Sequence, residues 1–185
     1  MYIYTDGLET ERLHTRFLKP GDATAWMEYV TDPIATTFMP NDAGLSYEDW
    51  TKHWIAFSIK RYREQRYGLQ ALIHKETGAF IGLCGLLLQE VNDKSEVEIG
   101  YHLFRKNWGL GYASEAAQMF RDYAFENEQA DSVISIIHPL NFLSKNVAKR
   151  NGMKLSEKGI FFRDKEVDVF RITREEWRRL PANEQ

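Results

Sequence analysis

Two glycines one residue apart, Gly109 and Gly111, separate an alternating apolar run from a run with helical spacing. The first turn of a helix carries N–H groups with no partner inside the helix, and the peptide dipoles add positive potential there. Glycine lets an anion approach those donors, so the pattern suits phosphate. Arg105 and Lys106 flank the turn and could add charge. The alternative is a tight strand-to-helix connection whose glycines serve the backbone alone.

The elements on either side must position that turn. Val97, Ile99, Tyr101 and Leu103 alternate, as one buried face of a strand does. Gly100 lies inside this strand, where a glycine marks a bulge or a close backbone approach. From Ala113 the period changes. Ala113, Ala116, Ala117, Phe120 and Ala124 share one helical face, and the alanines allow close packing on a sheet.

Composition narrows the function classes. The length suits one domain, spanning 1–185, with a sizeable core. No apolar run approaches the roughly 20 residues of a membrane helix. The N-terminus, Met1 to Asp6, has no basic region leading into an apolar core, so a cytoplasmic location is expected. A net charge of −3, mixed along the chain, argues against a nucleic-acid binder with a general basic surface. The single Cys84 excludes an internal disulfide and a multi-cysteine metal site, and its apolar neighbours make it a core residue. His14, His53, His74 and His138 show no metal-ligand spacing, so no metal is expected.

Along the chain, Leu13–Leu18 reads as a first strand, with Asp22 as the cap of a helix over Ala23–Thr31. A loop from Ile34 to Leu45 carries Pro40, Asn41, Asp42 and Gly44. Ser46 and Asp49 open a second helix reaching about Gln65. Strands over Gly68–His74 and Ala79–Gln89 flank the turn Lys75–Gly78, and a second turn at Val91–Lys94 leads into the central strand. After the central helix, Ser132–His138 is a β-rich run and Phe142–Asn151 a short helix closed by Gly152. Lys154–Phe162 and Val167–Thr173 form a last pair, and Thr173 with Glu176 caps a terminal helix over Arg174–Leu180. The order β-α-α-β-β-β-α-β-α-β-β-α places antiparallel hairpins around one right-handed crossover.

Three stretches together resemble the GNAT acyltransferase superfamily, and its RimJ/RimL-like branch in particular. Glu98–Tyr101 through Trp108–Ala116 is similar to the acetyl-CoA signature; Asn141–Asn146 with Ala148–Met153 is similar to the Asn-x-x-Ser segment and its following helix; Leu8–Leu13 is similar to the branch's opening. One departure is Lys106, where the family often has Gln or Arg. The resemblance implies an α+β, three-layered GNAT-like fold. Its sheet is mixed and mostly antiparallel, with about seven strands and a splayed central parallel pair. It implies acetyl-CoA as co-substrate, an amine acceptor and direct attack in a ternary complex, by a monomer or homodimer needing neither nucleic acid nor membrane.

On that resemblance, the diphosphate would sit on the N–H groups of Trp108, Gly109, Leu110, Gly111, Tyr112, Ala113 and Ser114, with Lys106 beside them. The pantetheine arm would pair like a strand with Leu103, Phe104 and Arg105, and a bulge at Gly100 would open the gap it enters. The acceptor amine must be neutral to attack: a lysine amine, at about 10.4, is rarely so at pH 7, whereas an α-amine, at about 7.7–8.0, often is. Glu98 is the candidate base, through water, and His102 the second. Ser144 would stabilise the leaving thiolate, and Asn141 would bond the pantetheine or a water. Trp26, Trp50, Trp54 and Phe38 either line the acceptor site or belong to the core.

Rival nucleotide folds fit poorly. Gly109-Leu110-Gly111 lacks the Gly-Lys-Ser/Thr of a P-loop and the third glycine of a dinucleotide fold. A non-catalytic acetyl-CoA-binding sensor or subunit is the serious alternative, because it would keep the phosphate turn without the proton-handling groups.

Overall fold

A computed structural model describes residues 4–39 and 44–181. Pro40, Asn41 and Asp42 of the expected loop, and Met1–Ile3, lie outside the described residues. The elements are β1 (Leu13–Arg16), α1 (Asp22–Val30), α2 (Tyr47–Arg63), β2 (Gln70–His74), β3 (Phe80–Val91), β4 (Lys94–Leu103), a short 3-10 turn (Arg105–Asn107), α3 (Tyr112–Glu126), β5 (Ser132–Ile137), α4 (Phe142–Arg150), β6 (Lys154–Phe162), β7 (Lys165–Thr173) and α5 (Arg174–Trp177). One seven-stranded sheet runs in the order β1-β2-β3-β4-β5-β7-β6. Only β4 and β5 are parallel; every other neighbouring pair is antiparallel.

Helices cover both faces. On one, Ala116, Ala117, Phe120 and Ala124 of α3 pack on Val97, Ile99 and Leu103 of β4, all buried. The small alanines let the helix lie close, while Phe120 fills the space between it and the sheet. On the other face, α1 and α2 bring Trp26, Tyr29, Trp50 and Ile55 onto Leu69, Ala71, Ile73 and Leu83. Each fully buried side chain of this size contributes roughly 1.5–3 kcal/mol. The alternation of β4 therefore sorts its residues: 97, 99, 101 and 103 face α3, while 98, 100 and 102 face α1 and α2.

Several ends differ from expectation for local reasons. β1 stops at Arg16, two residues early, because the Phe17 N–H donates to Asp6 and the Lys19 N–H to Asp22 instead of to a strand. Asp22 is not the cap of α1; Gly21 holds that position, and the Asp22 carboxylate instead accepts two bonds from the Arg16 guanidinium. Regular helix at α5 ends at Trp177, short of the expected Leu180, although its Thr173–Glu176 capping box is complete. The expected bulge at Gly100 is absent. β3 and β4 stay in register from Gly82–Leu103 to Val91–Lys94, with Gly85 opposite Gly100. A Cβ at Gly100 would stand 3.2 Å from Leu69 Cδ2 and 3.3 Å from Leu87 Cδ1, so a side chain there would press on both leucines.

Candidate active site

The sheet opens between its two parallel strands. β4 and β5 pair at Val97–Val133 and Glu98–Ile134, and β4 then runs on to Leu103 while β5 runs to Ile137. In a continued parallel ladder, the Ile136 N–H would donate to the Ile99 carbonyl. Two side chains occupy those groups instead. The buried Ser135 hydroxyl donates to Ile99 O at 3.0 Å, and the Ile136 N–H faces the Glu98 carboxylate. Neither backbone group is left unsatisfied, so the strands separate without the penalty of a bare buried polar group. The closed end is held by Arg171 of β7, which donates to both Glu96 carboxylate oxygens at 2.8 and 2.9 Å and to Ser132 Oγ at 2.8 Å.

At the open end stands the start of α3. Gly111 is its cap residue, with φ +86°, and Gly109 has φ +78°. A Cβ at Gly109 would meet nothing within 4 Å, so this residue is glycine for its backbone angle rather than for crowding. A glycine cap leaves the first N–H groups of the helix without a side-chain acceptor. This is the observation that fits an acyl-CoA: an αL-Gly turn presenting uncapped amides suits a diphosphate.

The turn is tied down from a distance. Arg12 Nη1 donates to Leu110 O at 2.9 Å, its Nε to Glu115 Oε2 at 2.7 Å, and its guanidinium lies 4.5 Å from the Tyr112 ring centre. Glu115, in the first turn of α3, also accepts from the Arg12 N–H at 3.0 Å. Partial burial would raise its pKa, but bonds from Thr10 and Arg12 hold it below the ordinary value. No local pattern gives either residue a role in the turn; the one signal for Arg12 is the opening motif that contains it. Arg105 and Lys106, expected to add charge to the turn, are paired with carboxylates around α1: Arg105 with Asp32 at 2.6 Å and Lys106 with Glu28 at 2.8 Å.

The edge of β4 that borders the gap differs from expectation in one detail. Leu103 O already accepts from Trp108 Nε1 at 2.9 Å. Phe104 is a core residue of the α1–α2 face, and its N–H donates to Ile81 O, toward β3 and away from the gap. The edge that alternation turns toward the gap is thus Ile99, Tyr101 and Leu103, rather than Leu103, Phe104 and Arg105.

Ser144 and Asn141 meet at the start of α4, across the gap from β4. Asn141 caps the helix, its Oδ1 accepting from the Ser144 N–H at 3.1 Å. The Tyr101 hydroxyl, read from sequence as a mere core position, donates to Ser144 O at 2.9 Å. Burial raises the Tyr101 pKa, so it stays a donor at neutral pH. Lys145 anchors α4 to β7 through Asp168 at 2.6 Å.

On the opposite face of β4, Glu98 and His102 look toward α1 and α2. Burial pushes the Glu98 carboxyl up, while Gln89, the Ile136 N–H, Arg163 and Arg61 work against that rise. Burial drives His102 down to about 4, so it is neutral at pH 7. Tyr29 donates its hydroxyl proton to Ala35 O at 3.1 Å and lies 3.1 Å from His102 Nδ1. Both contacts are satisfied when Nδ1 carries the imidazole proton, which leaves Nε2 as an acceptor. Trp54 stands edge-on to His102 at 5.1 Å, and Phe38 stacks on His138 at 4.7 Å. Trp26 and Trp50 are core residues.

A mostly antiparallel sheet whose one parallel pair opens onto an uncapped, glycine-entered helix defines the acyl-CoA-dependent N-acyltransferase class of fold. The comparisons agree. A sequence model of the acetyltransferase (GNAT) domain matches residues 12–154, and the chain belongs to that family. It is 34% identical over 153 residues to YkkB of Bacillus subtilis (strain 168), covering 81% of this chain and 86% of that protein. It is 30% identical to the N-acetyltransferase p20 of Bacillus licheniformis, covering 83% and 84%. Among solved structures, the acetyltransferase from Agrobacterium tumefaciens str. C58 superposes with a TM-score of 0.75 at 28% identity, covering 93% of this chain and 96% of that one. RimL, the ribosomal L7/L12 alpha-N-protein acetyltransferase solved with coenzyme A, shares the fold with a TM-score of 0.71 at 16% identity, covering 89% and 95%.

Proposed function

We propose that the chain is one N-acetyltransferase domain that moves the acetyl group of acetyl-CoA to a primary amine by direct attack in a ternary complex. The observation that carries this is the gap between β4 and β5 ending at the uncapped amides of α3. The amides of residues 108–114 hold the diphosphate, and the edge Ile99–Leu103 faces the pantetheine arm. Glu98 takes the amine proton through a water. Its raised pKa brings it closer to neutral pH, where a base is most effective. Ser144, with Asn141 and Tyr101 fixing the start of α4, supplies a hydrogen bond to the leaving sulfur. An α-amine needs the least help to reach the neutral form, and the structural neighbour RimL is named for N-terminal acetylation. The acceptor class is therefore a protein N-terminal α-amine or a small-molecule amine.

The test is free-CoA release from acetyl-CoA with seryl- and alanyl-initiated peptides, spermidine and other small amines. Release with at least one, reduced at least tenfold in Glu98→Gln at unchanged CoA affinity, supports the reading. CoA binding without release over the whole panel would instead favour an acetyl-CoA sensor.

A further inference from the structure

Glu98 is held by a chain of contacts that ends on another hairpin. Gln89 of β3 lies opposite Glu96 in the β3–β4 ladder and Leu87 lies opposite Glu98, so Gln89 is the diagonal neighbour of Glu98 on the same face. Its Nε2 donates to Glu98 Oε2 at 2.6 Å, and its Oε1 accepts from Arg163 Nη2 at 2.9 Å. Arg163 sits with Asp164 in the two-residue β6–β7 turn, with φ of +49° and +62°. The two hairpins are tied a second time by Asn92 Nδ2, which donates to Glu157 Oε2 at 2.7 Å.

We infer that Gln89 and Arg163 are positioning residues for Glu98, forming an amide relay from the β6–β7 turn into the gap. The direction of the relay follows from hydrogen-bond chemistry. A guanidinium has donors only, so it must face the amide oxygen. That turns the NH2 of Gln89 toward Glu98, where it donates to a carboxylate and fixes its orientation. Without Arg163, the amide is free to flip and present oxygen to oxygen.

The other groups around Glu98 are the Ile136 N–H from β5, Arg61 from α2, and Tyr101 on its own strand. None of them fixes the orientation of the Gln89 amide. Loss of either relay member favours the protonated form of Glu98, because a bond made to the ionised form disappears.

The inference rests on Glu98 as the base only for its catalytic meaning, so its readout is the carboxyl itself. In full-length protein labelled with 13C at glutamate carboxyls, the Glu98 resonance is assigned by its loss in Glu98→Gln and followed against pH. Gln89→Leu should move its midpoint up by about one pH unit. Arg163→Met should move it the same way by less, and Arg163→Lys should return it toward wild type. A midpoint unchanged in Gln89→Leu or Arg163→Met overturns the relay. If Gln89→Leu does not fold, Arg163→Met at its exposed turn decides alone. Parallel rates with spermidine and a seryl peptide separate the two ideas: full turnover in Glu98→Gln would remove Glu98 as base, whereas a moved midpoint would still establish the relay.

Discussion

Gly111→Ala tests the phosphate turn at its tightest point. The residue caps α3 with φ +86°, a conformation that costs an L-residue roughly 1–2 kcal/mol. Crowding adds little, since the new Cβ would stand 3.3 Å from Arg12 Nη2, the end of a long side chain. No side chain of residue 111 ties the helix start, so the free variant relaxes its φ and re-aims the amides that follow. Binding a diphosphate must restore the original angle. The strain then returns as a binding penalty, a rise in CoA Kd of about 5- to 30-fold. Titration calorimetry with CoA measures it, with pantetheine, which lacks the diphosphate, as control; its affinity should change less than about twofold. Gly109→Ala, at φ +78° with nothing within 4 Å, should behave alike because the cause is the angle. Equal losses for CoA and pantetheine, or a CoA Kd within twofold of wild type in both variants, would refute the reasoning.

Three further outcomes follow from the site. Ser144→Ala should lower turnover at least fivefold with CoA affinity nearly intact, read by steady-state kinetics beside calorimetry; unchanged turnover removes the hydroxyl from the reaction. Ser135→Ala strips the donor from a buried Ile99 carbonyl, costing about 1–3 kcal/mol in denaturant unfolding; a loss under about 0.5 kcal/mol would show that the hydroxyl is not needed to keep the strands apart. Burial would raise the Asp168 pKa, but Lys145 and the Gly159 N–H outweigh it and hold it down. A depressed carboxyl adds stability above its unfolded value of about 3.9 and loses it as pH falls through the folded value. Asp168→Asn should therefore flatten the acid limb of stability below roughly pH 4; an unchanged slope in urea melts over that range would contradict this.

The parts legible in the sequence were those with a local period or a local angle. The alternation of Val97 to Leu103, the alanine face of α3 and the glycine turn between them all depend on neighbouring residues, and the structure has each one. The misreadings share the opposite cause. Gly100 looks like a bulge in the sequence because the leucines that crowd its position, Leu69 and Leu87, come from other segments of the chain. Tyr101 was assigned its correct face, but no pattern shows that its hydroxyl reaches Ser144, 43 residues away. Arg12 meets Glu115 across 103 residues, and Arg163 meets Gln89 across 74. Those pairings are set by how distant segments, helices and turns as well as strands, come together in the fold. The same holds for Arg105 and Lys106, whose sequence position suggested the turn while α1 and the residues after it supply their partners.

The most direct measurement is an amide NMR titration of the labelled full-length chain with CoA and, separately, with inorganic pyrophosphate. With CoA, the amides of Gly109 to Ser114 should shift together with those of Tyr101 and Leu103. With pyrophosphate, the first group should shift alone. Shifts that leave residues 109–114 untouched, or that move β4 equally with both probes, would contradict a diphosphate held at the start of α3 with its arm between β4 and β5.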